Sequence, residues 1–235
     1  MPIVLASASP RRRTLIAHLG LPVEHREADV PEVPLPGEYP AETALRLARE
    51  KVEKVAGPHP NPLPEGEGVR AAGVVVGGDT VVVADGRILG KPADPDEARA
   101  MLRELRGREH QVITGVCLLD LASREVYAEA VETRAWMRDY SDAEIERYVR
   151  SGAPLDKAGA YGIQDESFHP VDRIEGCYLN VVGLPLCAVA RGLRALGHDA
   201  PGYPTDDCRC GEWTNGPHPS PLPAGEGKRK PRPDR

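Results

Sequence analysis

Residues 71–83 constrain this chain more than any other stretch, because valines fill them around Gly77-Gly78-Asp79-Thr80 with little polar relief. Such a near-continuous apolar run marks a buried strand rather than one half-open to water. A strand of that kind needs covering layers, and the flanking sequence supplies them. Within residues 42–55, Leu45, Ala48, Val52 and Val55 share one helical face. Asp94-Pro95 opens a helix whose stripe is Ala98, Met101, Leu102 and Leu105. Ser141-Asp142-Ala143-Glu144 forms a capping box ahead of residues 145–149. Leu186, Val189, Ala190 and Leu193 face one side of a last helix, with Gly197 placed to cap it. Residues 111–121 and 125–137 read as two strands around Ala122-Ser123, an antiparallel pair. The expected fold is α/β: one domain over residues 1–198, with helices flanking a mixed sheet.

Composition narrows the function classes. Among 235 residues, 40% are hydrophobic and 28% charged, the balance of a globular protein. The net charge of −6 argues against a general nucleic-acid binder. No apolar run approaches the roughly 20 residues that a membrane helix needs. The N-terminal apolar stretch is too short for a signal peptide and precedes the basic cluster instead of following it. Five cysteines, at 117, 177, 187, 208 and 210, show no framework spacing; Cys117 and Cys187 lie in apolar runs and read as core. A reduced cytoplasmic compartment fits them.

One repeat stands out. Residues 57–68 recur at 216–227, differing only at Asn61/Ser220 and Glu65/Ala224. Alternating prolines remove backbone donors and favour extended, solvated chain. Residues 57–70 are therefore expected to form an inserted surface loop. Residues 199–235 are expected to form a disordered, Pro-rich basic tail.

Chemistry concentrates at a few positions. Asp79 places a carboxylate inside the buried valine strand, which is costly unless a cation or metal faces it. Two glycines before it allow close approach by backbone or ligand. At the N-terminus the apolar run 2–6 feeds Ser7-Ala8-Ser9-Pro10-Arg11-Arg12-Arg13. Ser9 suits a helix N-cap and Pro10 its first turn. Arginines in a first turn oppose the helix dipole, a conflict that an anion there would resolve. Gly86-Arg87-Ile88-Leu89-Gly90-Lys91-Pro92 is not a P-loop, since the glycine spacing is short and proline replaces the Ser or Thr. A hairpin turning at Asp85-Gly86 would bring Lys91 back to Asp79. Taken locally, Glu32 reads as an exposed loop acid and Lys51 as a lysine at the edge of an apolar stripe. Residues 155–164 set Asp156, Lys157 and Gln164 among small residues, which suits a ligand wall. Residues 174–185 read as mainly structural. Cys208-Arg209-Cys210 with His198 or His218 has poor spacing for zinc.

Together these blocks resemble one family, the Maf proteins, which are nucleoside triphosphate pyrophosphatases. The resemblance runs over residues 3–196 apart from the insert. It rests on residues 7–12, 46–51, Gly78-Asp79-Thr80-Val81, Lys91-Pro92, residues 110–114, 156–164 and 180–185. Residues 156–164 look like the branch acting on dTTP and UTP. The resemblance implies two lobes around a largely central mixed sheet, with a cleft between them. It implies hydrolysis between the α- and β-phosphates, giving a nucleoside monophosphate and pyrophosphate, with Mg²⁺ or Mn²⁺ required. Asp79 matches the family's catalytic base. Arg11, Thr80 and Gln164 match positions governing base choice. Ser7, Arg12, Glu32, Lys51 and Lys91 match residues lining the triphosphate pocket. Whether Asp79, Glu32 or both hold metal stays open. A cytoplasmic homodimer acting on nucleotide pools, with no membrane and no specific nucleic acid, also comes with the resemblance.

Asp165 departs from the family, which often has glycine after the position of Gln164; an acid here would weaken triphosphate binding or add a metal contact. The alternatives are the same reaction on 7-methyl-GTP or modified nucleotides, a catalytically weak regulator of cell division, and a Pro-rich scaffold using both repeats. On the scaffold reading, deleting residues 57–70 and 199–235 abolishes function. The enzyme reading predicts that pyrophosphate release survives the deletion.

Overall fold

The computed structural model describes residues 1–57 and 73–201, together with the backbone of 211–214. In chain order the elements are β1 (Ile3–Ala6), α1 (Pro10–Ile16), β2 (Val23–Arg26), α2 (Pro40–Ala56), β3 (Val74–Ala84), β4 (Arg87–Leu89) and α3 (Pro95–Leu105). They continue with β5 (Glu109–Asp120), β6 (Val126–Met137), α4 (Asp142–Arg150), β7 (Val171–Gly176), α5 (Tyr178–Val182), α6 (Leu186–Ala195) and β8 (Gly211–Thr214). The fold is α/β, as expected, and its sheet is mixed. The strand order is β2-β1-β3-β5-β6-β7-β8, with β4 on the end of β3. β2, β1 and β3 run parallel, and β5 to β8 follow antiparallel.

β1 and β3 are buried on both faces, which explains their apolar runs. Ile3, Leu5, Val74 and Val76 enter the larger core with α5 and α6, while Val4, Ala6 and Val75 meet Ala48 and Val52 of α2. Local signals set the boundaries. Asp94 accepts from the amides of Asp96 and Glu97 to start α3, and the Ser141/Glu144 capping box starts α4. At the β3–β4 turn Asp85 and Gly86 both have positive φ, +49° and +74°, as a two-residue hairpin requires. Cys117, Cys177 and Cys187 are buried free thiols. No helix among the described residues is long and apolar enough to cross a membrane.

The insert beyond Gly57 and most of residues 199–235, including Cys208 and Cys210, lie outside the described residues. Residues 211–214 fall inside the segment expected to be unstructured, yet their backbone pairs antiparallel with β7. At the end of the expected domain the His198 ring bonds Asp120 at 2.5 Å, and Ala200 just beyond it is buried. A deletion that spares the sheet therefore begins at 215.

Helix α2 lies unusually close to the sheet. A Cβ on Gly77 would stand 2.5 Å from the Ala48 carbonyl, and one on Gly115 would stand 2.3 Å from the Ala44 carbonyl. Helix backbone touches the strands at both points, joined at Gly77 by the Val52 side chain, 2.6 Å from such a Cβ. Gly77 and Asp79 are two residues apart on β3 and share the face toward α2. Lys51, close to one turn beyond Ala48, is thereby brought over Asp79. Gly115→Ala is expected to lower stability by about 3 kcal/mol through overpacking, read as a lower midpoint in urea unfolding.

Candidate active site

One cleft of about 510 Å³ gathers every residue singled out above: Ser7, Arg11, Arg12, Glu32, Lys51, Asp79, Thr80, Lys91 and Gln164 all line it. Its floor is β3. Asp79 is 5% exposed, and its Oδ1 accepts from Lys51 Nζ at 2.6 Å. Burial raises the Asp79 carboxyl above its ordinary value, while Lys51 and Arg12 pull it back down. Lys51 Nζ also donates to Glu32 Oε1 at 2.6 Å, so Asp79 and Glu32 meet on one ammonium group. Lys51 is itself 4% exposed, so it does not reach out to solvent along the edge of its helix.

Glu32 is not the idle loop acid that its neighbours in sequence suggest. Its second oxygen accepts from Lys91 Nζ at 2.6 Å. Burial alone would raise its carboxyl, but Lys51 and then Lys91 overcome that effect and hold it down at about 2. The hairpin does return Lys91 to the cleft, as expected, but the lysine pairs with Glu32 and not with Asp79. Among the described residues, Lys91 is linked to Asp79 through Glu32 and Lys51.

The opposite wall comes from β1 and α1. Ser9 caps the helix by accepting from the Arg12 amide, with Pro10 at the first helical position. Ser7 Oγ in turn accepts from the Ser9 amide at 3.2 Å. The three arginines separate: Arg11 and Arg12 line the cleft, and Arg13 turns to Glu27 at 2.9 Å. Arg12 Nε donates to the Gly183 carbonyl at 2.7 Å, and Nη2 donates to Thr80 Oγ1 at 2.9 Å. Burial lowers the Arg12 guanidinium below its ordinary value, partly countered by Asp79 and Glu32. Thr80 thus holds an arginine, whereas the family resemblance implies a role in base choice.

At the rim, Arg11 Nη1 pairs with Asp156 Oδ2 at 3.2 Å, and Gln164 is exposed. Asp165 also lines the cleft, but its Oδ1 accepts from the amides of Ser167 and Phe168 and from the Ser167 hydroxyl. That oxygen is committed to a turn. Behind this wall Tyr161 meets buried His110 Nε2 at 2.7 Å. Burial drops the His110 imidazole to about 4, so it is neutral near pH 7.

Sequence reasoning gave no role to the Gly183 carbonyl, Thr114, Asn180 or the His110–Tyr161 pair, although all lie in blocks that carry the resemblance. A main-chain acceptor leaves no signature in residue type, and a lone threonine in an apolar strand reads as ordinary filling. Residues 174–185, read as mainly structural, reach the site through Val181, Val182 and Gly183, which line the cleft, and through the Gly183 carbonyl that holds Arg12.

A family model described as "Maf-like protein" matches residues 2–196. A protein named dTTP/UTP pyrophosphatase from Geobacter metallireducens is 46% identical over 196 residues, covering 83% of this chain and 96% of its own. Its counterpart of the same name from Geobacter sulfurreducens gives the same identity and coverage. Another so named, from Pelotomaculum thermopropionicum, is 45% identical over 197 residues, 84% of this chain and 97% of its own. The solved structure of the Staphylococcus aureus Ham1 protein is a remote likeness, with a TM-score of 0.40 and 12% identity over 73% of this chain and 80% of its own. The chain belongs to the Maf-like protein family.

Proposed function

We propose that this chain hydrolyses dTTP and UTP to the nucleoside monophosphate and pyrophosphate, with Asp79 as general base. The observation that carries the reading is the buried Asp79 carboxylate at the floor of a cleft ringed by Arg12, Lys51 and Lys91. Phosphoryl chemistry asks for positioning and charge neutralisation more than for covalent help. Arg12, Lys51 and Lys91 offset the triphosphate charge, and a planar guanidinium suits phosphate oxygens. Asp79 takes a proton from water as that water attacks phosphorus, and the α–β anhydride bond breaks with pyrophosphate leaving.

The donors present also fit Mg²⁺ or Mn²⁺. No cluster of three or more His, Cys, Asp or Glu among the described residues forms a closed metal site. Asp79 and Glu32 meet at one ammonium group, and such ions use one or two carboxylates plus substrate phosphate oxygens. These two residues would hold the ion, which when bound adds further neutralisation of phosphate charge.

Base choice falls to the rim. The Gln164 amide both donates and accepts, which suits the carbonyl and N–H edge of thymine or uracil. The names of the relatives support this pair of substrates over 7-methyl-GTP. Intact Asp79, Arg12 and Lys91 favour an enzyme over a regulator that only binds. A cytoplasmic homodimer rests on the family resemblance alone.

Asp79→Asn is expected to cut pyrophosphate release from dTTP and UTP by at least about a hundredfold while the chain stays folded. Wild-type release from neither nucleotide would refute the proposal. The pH profile checks the same residue. Because burial raises Asp79 above 3.8, activity should fall on acidification at a higher pH than a free aspartate would give. Lys51 favours the charged carboxylate, so Lys51→Met should move the acidic limb of kcat/KM further up in pH; an unmoved limb would exclude Asp79 as its source.

A further inference from the structure

Thr114 sits on β5, is fully buried and lies behind the cleft wall without lining it. Its hydroxyl is 2.9 Å from Thr80 Oγ1 and 3.2 Å from the Asn180 carbonyl. Two chemical facts fix the direction of these bonds. A guanidinium only donates, and a carbonyl only accepts. Arg12 Nη2 therefore donates to Thr80, Thr80 donates to Thr114, and Thr114 donates to the Asn180 carbonyl. Each hydroxyl in this chain both accepts and donates, so every link polarises the next.

The far end of the chain is anchored. Asn180 Nδ2 donates to the Val112 carbonyl and to Thr133 Oγ1, both at 2.9 Å. Thr133 in turn holds both the carbonyl and the amide of Cys177, at the start of α5. The same short helix ends at Gly183, whose carbonyl takes Arg12 Nε. Two of the three guanidinium nitrogens are thus held from α5, one directly and one through Thr80 and Thr114. Among the described residues, Nη1 has no partner.

We propose that Thr114 is a positioning residue, which aims the free edge of Arg12 at a substrate phosphate through Thr80. The inference rests on the triphosphate reading above and deepens it. Without the Thr114 hydroxyl, the nearest other acceptor for Thr80 O–H is the Gly183 carbonyl, 3.5 Å away. That carbonyl already serves Arg12 Nε, so the two would compete and the guanidinium would lose its fixed plane.

The test is a mutant cycle on Thr114→Val and Arg12→Lys, read by calorimetric dTTP binding and by KM and kcat for pyrophosphate release. Thr114→Val is expected to weaken dTTP binding and raise KM by roughly tenfold, with a smaller change in kcat. With Lys at position 12 there is no fork to aim, and Thr114→Val should then change binding by less than about twofold. Thr114→Ser keeps the hydroxyl and should restore near wild-type KM, whatever its thermal midpoint. Equal losses on both backgrounds, or a Ser variant as impaired as Val, would overturn the inference in favour of simple packing. Wild-type chain that binds dTTP without releasing pyrophosphate would refute the hydrolysis reading, while the binding cycle still decides the role of Thr114. Wild-type chain that does not bind dTTP would overturn both.

Discussion

The buried contact between Lys51 and Asp79 is the constraint around which the cleft is built. An ammonium and a carboxylate, each about 5% exposed, forfeit most of their hydration. Their attraction alone does not reliably recover that loss. Here a further charge acts on each group: Glu32 shares the ammonium, and the Arg12 charge lies close enough to act on Asp79. The arrangement exists because α2 comes down onto bare glycine backbone at 77 and 115. A side chain at either position would lift the helix and pull the ammonium off the carboxylate. The strand glycines therefore serve the site through packing and not by making room for a ligand.

Charge balance follows from the same geometry. Arg12, Lys51 and Lys91 face Asp79 and Glu32, so the cleft carries one excess positive charge before any anion enters. Glu32 holds both lysines, although its side chain is 37% exposed and sits on a loop. A polyphosphate offers those lysines the same kind of oxygen with more negative charge. On the reading proposed above, Glu32 would be exchanged by substrate, whereas Asp79, sealed on β3, would remain at the reacting centre.

Most of the fold was legible in the sequence, because it is written in apolar periodicity and capping. The valine strand, the Ser141 box and the Asp85-Gly86 turn are all local signals, and so is the Ala48–Val52 part of the α2 stripe, although Ala44 and Leu47 are buried where Leu45 and Val55 were expected. Asp79 was legible for a related reason, since a carboxylate inside a valine run breaks the pattern. Glu32 and Lys51 were not legible locally, because their meaning lies in a contact spanning 19 residues. Only the family resemblance brought them forward. Thr114 and Gly183 fall inside the blocks that carry the resemblance, yet neither approach gave them a role: one looks like strand filling, and the other acts through its backbone. The edge strand at 211–214 was hidden by the Pro-rich composition around it.

The insert expected at 57–70 raises the sharpest question about this particular chain, since it would interrupt the connection from Lys51 on α2 to Asp79 on β3. An insertion at such a point would damage the site if either element depended on the connection for its place. Neither does. The Gly57 amide closes the last turn of α2 on the Glu53 carbonyl. On the other side, the Gly73 carbonyl takes the Leu121 amide, and Val74 bonds the Pro2 carbonyl. β3 is then held by β1 and β5 along its length, and α2 by its contact with the strand glycines. Both ends of the break are fixed by bonds that do not involve residues 58–70. The 2.6 Å Lys51–Asp79 contact is accordingly set by the sheet and α2 alone, which is why an extra segment at this position is compatible with an assembled site.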